Sequence, residues 1–132
     1  MKQVIISKEI PPIYQQLHDK FGVKWDDGII IAYDGKIHCS MEVTPQKIIH
    51  EMKHLERQQE MGNEAWWNLY LENDQFRKDE EARAYLAETN FIKKNINNRE
   101  IRFFAITDIA KSFASDVYGE IISLKDALKI LR

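Results

Sequence analysis

The chain has a single cysteine, no apolar run long enough to cross a bilayer, and no large excess of either charge. With only Cys39, an intramolecular disulfide is excluded and a reducing compartment is suitable; in a strand such a residue reads as a small buried hydrophobe. A membrane helix needs roughly 20 consecutive apolar residues, and nothing of that length is present. The first ten residues offer only Val4-Ile5-Ile6 before Ser7, far short of the apolar stretch of a secretory leader. The expectation is therefore a cytosolic protein that does not enter the membrane. A formal net charge of -2 supplies no basic field for a phosphate backbone, so nucleic acid is not an expected partner.

What is present is an ordinary globular balance. The 132 residues are 44% hydrophobic and 30% charged, with a mean hydropathy of -0.48, enough apolar material to bury a core without cross-links. No repeat, low-complexity tract or linker divides the chain, which predicts one domain over residues 1–132.

Turn and cap signals set the order of elements. Residues 2–6 read as a short strand. Pro11-Pro12 opens a helix to about residue 21, where Ile13, Leu17 and Phe21 share a face and Gly22 stops it. The run Ile29, Ile30, Ile31, Ala32 and Tyr33, then Asp34-Gly35, then Lys36-Ile37-His38-Cys39, is a hairpin signal. Thr44-Pro45 starts a helix that continues to about Met61, because a threonine can accept from first-turn amides and a proline at the first helical position loses no hydrogen bond. Gly62 stops it, and Asn63 is the expected cap of an aromatic helix over 64–71 carrying Trp66, Trp67 and Tyr70, a density that belongs in a core. A long helix over 75–96, a polar loop over 95–100, a helix over 107–117, a Tyr118-Gly119 break and a last helix over 123–132 complete the chain. Residues 101–104 can extend an apolar element beyond the loop. The expected class is α+β, a small N-terminal antiparallel or mixed sheet packed on a mainly helical core.

The helix that starts at Pro45 carries His50-Glu51-Met52-Lys53-His54, an H-E-x-x-H pattern that supplies two imidazoles one turn apart and a carboxylate beside the first. At about 100° per residue from Ile48, Met52 and Leu55 fall within about 40° of it, while His50 and His54 fall at about 200° and about 240°. The imidazoles therefore point away from the apolar arc, and Met61, at about 220° by the same count, suggests that their side is also partly covered. Glu51, at about 300°, can reach a water on the metal without being a ligand.

A catalytic zinc takes three protein ligands and leaves one position open, so a further donor is needed. On the long helix, counted from Phe76, Glu81 falls at about 140°, in a sector shared with Ala84, Tyr85, Glu88 and Ile92, whereas Glu80 falls at about 40°. A carboxylate buried in that company must be paired or coordinated. This makes Glu81 the candidate third ligand, with Glu80 or Glu88 as substitutes and Glu88 also placed to orient a histidine from behind.

His50-Glu51-x-x-His54 with Gln58 following, then Trp67, Tyr70, Phe76-Arg77 and Glu81-x-x-Ala84-Tyr85, resembles the compact gluzincin-type zinc metallopeptidases, including the minimal ones of phage and bacterial genomes. The similarity covers about residues 44–118. It implies a zincin-like core holding one Zn2+ per chain on His50, His54 and Glu81, with Glu51 as general base. It also implies that a peptide or protein substrate lies extended along the strand run from Ile29 to Tyr33. Under that reading a peptide bond is hydrolysed by a metal-activated water, and Tyr118, mobile on its break, or Tyr85, one turn beyond Glu81, is the candidate donor to the oxyanion. Two other readings use the same residues: a catalytically inactive, zinc-stabilised binding or regulatory module, and a metal-free interaction protein presenting Trp66 or Trp67.

Overall fold

The computed structural model describes residues 4–132. Among these, the chain forms strand β1 (Ile5–Ser7), helix α1 (Tyr14–Phe21), strands β2 (Ile31–Tyr33) and β3 (Lys36–His38), then helices α2 (Pro45–Met61), α3 (Asn63–Glu72), α4 (Asp74–Asn95), α5 (Arg99–Phe113) and α6 (Leu124–Leu131). Two short 3-10 turns, Trp25–Asp27 and Asp116–Tyr118, each end at a glycine with positive φ. The class is α+β, as the turn signals predict, and no helix among the described residues is long and apolar enough to cross a membrane.

The sheet is mixed. Its order is β1-β3-β2, with β1 parallel and β2 antiparallel to β3. Asp34 (φ 47) and Gly35 (φ 83) both sit in the left-handed region, the conformation that a tight two-residue hairpin requires and that Asp-Gly tolerates. The turn sets the register Tyr33↔Lys36, Ala32↔Ile37 and Ile31↔His38. Each strand is shorter than the stretch expected from the sequence. Lys2 and Gln3 lie outside the described residues. Ile29 and Ile30 lie outside β2, whose pairing with β3 ends at Ile31↔His38.

Helix boundaries follow the caps. The Thr44 hydroxyl accepts from the Lys47 amide, Asn73 from Phe76, Asn98 from Ile101 and Ser123 from Asp126. Two expectations need correction. Asn63 does not cap α3 but is its first residue; its carboxamide accepts from the Asp34 amide and ties the hairpin turn to the helix. The Asn98 cap starts α5 at Arg99, so the expected loop over 95–100 shrinks and the helix ends at Phe113 instead of Val117.

The buried apolar residues form two clusters. One joins α1, β2 and α3 through Leu17, Val23, Ile31, Trp66, Trp67 and Tyr70. The other joins α4, α5 and α6 through Tyr85, Ile92, Ile109, Phe113 and Leu131. Between them lies α2, and it departs from its apolar periodicity: its buried residues are His50, Glu51, His54 and Gln58, whereas Ile48, Met52 and Leu55 are only half-buried. The histidine face, expected to be partly covered, is the more deeply buried one, against a polar face of α4 that buries Arg77, Glu80, Glu81 and Glu88.

Phe113 is fully buried and Phe104 is 65% exposed. Phe113→Ala is expected to lower unfolding free energy by about 3–5 kcal/mol, and Phe104→Ala to change it by less than about 0.5 kcal/mol. Chemical denaturation measures both, and equal losses would contradict this assignment of the core.

Candidate metal centre

The i, i+4 spacing on α2 brings the imidazoles of His50 and His54 edge to face, with ring centroids 5.0 Å apart. From α4, the Glu81 carboxylate reaches both: Oε1 lies 3.0 Å from His50 Nε2 and Oε2 lies 3.1 Å from His54 Nε2. All three side chains are buried, and one ligand atom from each lies within 4.8 Å of the others, so this group can hold a metal ion. The distances fit that role. Donors each about 2.0–2.1 Å from a tetrahedral ion stand roughly 3.3 Å apart. Although His54 Nε2 is close to Glu81, it makes no hydrogen bond, which leaves a buried nitrogen without a partner that a cation would satisfy.

The remaining acids of α4 separate by direction. Glu88, fully buried, accepts from or pairs with His50 at Nδ1 (3.0 Å), and also accepts from Gln46 Nε2 and Lys47 Nζ. It therefore holds a proton on Nδ1 and turns Nε2 toward Glu81, the support that metal-binding histidines commonly receive. Glu80 faces the other way, accepting from Arg57 and from Trp66 Nε1 at 2.7 Å. Of the three candidates, Glu81 occupies the cage, Glu88 stands behind a ligand, and Glu80 belongs to a separate pair.

Charge points in the same direction. Glu51, Glu81 and Glu88 are buried around neutral-capable imidazoles, with the Lys47 ammonium as the cation paired to Glu88. Burial alone would lower the pKa of His50, but the Glu51, Glu81 and Glu88 carboxylates overrule it and push it up to about 10. Glu81 shows the reciprocal effect. Burial pushes it up, yet the two imidazoles hold it well below the usual carboxylate range. Glu51 is raised chiefly by burial; its carboxylate is 3.7 Å from His50 Nε2 and accepts no hydrogen bond among the described residues.

A cavity of about 660 Å³ opens beside the cage between α1, residues 22–32, α2 and residues 111–118, and Glu51, Tyr85 and Tyr118 all line it. Tyr85 packs edge-on against His50, ring centroids 4.3 Å apart, and its hydroxyl is 2.5 Å from that of Tyr118. Burial raises both phenols well above their ordinary pKa. Tyr118 is not loose on its break: its carbonyl accepts from Arg77 Nε at 2.7 Å, and its ring packs against both apolar clusters.

The sequence reading assigned no role to Tyr70 or Lys47. The Tyr70 hydroxyl donates to Glu81 Oε2 at 2.8 Å, and Lys47 pairs with Glu88. Lys47 is one helical turn before His50, a spacing that could have marked it; Tyr70 carries no such signal, since only the packing of α3 on α4 brings it to Glu81. His38 and His18 lie elsewhere, each with Nδ1 against a main-chain carbonyl, of Glu9 and Val23 respectively. Cys39 is buried with its thiol toward the Gly28 carbonyl. Comparison of the chain with protein-family models, curated proteins and solved structures returns no match.

Two measurements test the cage. A metal needs His50 neutral at Nε2, whereas the metal-free site keeps it protonated up to about pH 10. Metal uptake at pH 7 should therefore release about one proton, and apparent affinity should fall roughly tenfold per unit of acidification. Calorimetry in buffers of different ionisation enthalpy reads this directly; no proton release would refute the electrostatic account. Separately, Glu88→Gln should weaken metal binding by about 10–100-fold and Glu80→Gln should leave it unchanged. The reverse ranking would reassign the two carboxylates.

Proposed function

We propose that this protein is a zinc-dependent peptidase of the compact gluzincin kind, with His50, His54 and Glu81 as zinc ligands and Glu51 as general base. The observation that carries the reading is Glu51: a buried carboxylate with raised pKa, beside the ligand nitrogens, without a hydrogen bond, and open to the cavity. A carboxylate kept in that state serves poorly as a structural member, because burial without a hydrogen bond is costly, and its place beside the cavity suits a proton acceptor.

Zinc in this cage would supply Lewis acidity toward a carbonyl oxygen and a water of pKa about 7. The two histidines with one carboxylate are a common catalytic zinc set, and all three line the cavity.

Glu51 then takes a proton on the cavity side and returns it to the departing amine. The Tyr85–Tyr118 pair contributes the oxyanion donor. Two hydroxyls share one hydrogen bond and so have two protons, of which one remains free to donate outward. Their elevated pKa values keep both protonated throughout the neutral range. Glu88 holds the His50 tautomer while this happens. The substrate would be an extended peptide or protein segment laid against residues 29–32, which line the same cavity. The surrounding helices would then form a zincin-like core.

Glu51→Gln should retain zinc and lose peptide cleavage by about 10²–10⁴-fold, measured on a peptide library with zinc content determined in parallel. Loss of zinc with activity would move Glu51 into the cage. Equal cleavage by both proteins would remove it from the chemistry. Two zinc-loaded but equally inactive proteins would favour the zinc-stabilised module.

A further inference from the structure

The outer edge of β2 lines the same cavity as the cage, and it is not open along its length. In a two-residue hairpin the residues flanking the turn exchange hydrogen bonds, and the next pair turns its amide and carbonyl groups outward. With Tyr33↔Lys36 flanking the turn, Ala32 is that outward residue. Its carbonyl is already occupied: Gln58 Nε2 donates to it at 2.8 Å. Gln58 is one turn past His54 and two past His50, on the same buried face of α2, and is only 3% exposed. The orientation of its carboxamide is determined, because the reverse would set one oxygen against another.

Two residues earlier lies Ile30, just outside β2. It lines the cavity, and neither its amide nor its carbonyl has a hydrogen-bond partner among the described residues. The edge beside the cage thus offers one complete donor and acceptor set at Ile30 and a donor alone at Ala32. Tyr33 turns its groups back toward Lys36, and beyond it the Asp34 amide is taken by Asn63.

We propose that Gln58 sets the substrate footprint: by holding the Ala32 carbonyl it leaves Ile30, just before β2, as the acceptor beside the cage, so a bound peptide donates one main-chain N–H there instead of pairing as a full strand. The inference rests on the peptidase reading and narrows it. The substrate class is an extended chain anchored over two or three residues on this side, such as a flexible terminus or an exposed loop, and a long β-strand gains nothing further from the edge. Gln58 acts through the strand and is a positioning residue. Sharing a helix face with the ligands, it also fixes the distance from the anchor to the cage.

The test uses zinc-loaded full-length protein and acetyl-penta-alanyl hydroxamate as probe, each amide N–H being replaced in turn by an ester oxygen. Dissociation constants come from calorimetry. One replacement should weaken binding by about tenfold and the others by less than about threefold, as loss of a single hydrogen bond implies. In Gln58→Met, which keeps side-chain volume but has no donor, a second sensitive position should appear two residues from the first. Two sensitive positions spaced by two in the wild type, no sensitive position at all, or an unchanged pattern in a folded, zinc-loaded Gln58→Met would each overturn the proposal. Should that variant not fold, the wild-type scan decides alone. Acetohydroxamate serves as the control for the underlying reading: if it binds as tightly as the pentapeptide probe, the cavity does not recognise peptide and the peptidase reading fails. Tight peptide binding with a full ladder of sensitive amides would sink only the footprint.

Discussion

The structure depends on a buried polar seam between α2 and α4. Helices normally meet through apolar ridges, yet here His50, Glu51, His54 and Gln58 face Arg77, Glu80, Glu81 and Glu88. Unpaired, each carboxylate would carry a desolvation penalty of several kcal/mol. The seam is tolerable because nearly every group is matched: Glu80 with Arg57 and Trp66, Glu88 with Lys47, Gln46 and His50, Glu81 with both imidazoles and Tyr70. His54 Nε2 and the Glu51 carboxylate stay incompletely matched beside the cavity, and Gln58 Oε1 is a further buried atom of the seam without a partner. A divalent cation in the cage would match His54 Nε2, which links the stability of the helix pair to the chemistry of the site.

The seam also explains why the apolar core is divided. Trp66 of one cluster lies tilted against His54, with centroids 5.1 Å apart, and Tyr85 of the other packs against His50. Each imidazole is therefore walled on its outer side by an aromatic ring from a different cluster. Such walls keep water from the ligands except through the cavity, and a dry surround strengthens every electrostatic interaction inside it. The cage is where the two halves of the core meet, so its geometry is fixed by packing on both sides.

Much of this was legible in the residues. Helix ends could be read wherever a capping side chain or a left-handed glycine sets them, as at Thr44, Asn73 and Gly62, because the signal is local. The histidine pair and the inward position of Glu81 followed from helical spacing alone. The partial cover of the histidine face was legible, but not that it would be buried more deeply than the apolar arc, because hydrophobic periodicity assumes that the apolar arc seeks the core. At a site where polar side chains coordinate one another, they are buried and Ile48, Met52 and Leu55 are left half-exposed. The start of α5 was misplaced because one Asn among three in that stretch, Asn98, supplies the cap. Tyr70 and the Gln58 bond to Ala32 depend on how α3 and β2 pack against α2 and α4, and no spacing within a single element encodes that.

A second buried charge fixes what the cage leaves loose. Arg77, almost fully buried, donates to the carbonyls of Tyr70 and Tyr118, pairs with Asp74, and lies over the rings of Phe21 and Tyr70. One guanidinium thereby holds the backbone of the two tyrosines whose hydroxyls reach Glu81 and Tyr85. A lysine could not span these acceptors, since only the planar fork presents several donors at fixed angles. The next residue, Gly119, has φ 83, and a Cβ there would come within 3.2 Å of both Arg77 and Phe21. Glycine is thus required for conformation and for space together. The α2 face holds the two histidines and the strand edge, while Arg77 holds the tyrosines, so the two walls of the cavity are positioned by sets of buried polar contacts that meet at Glu81.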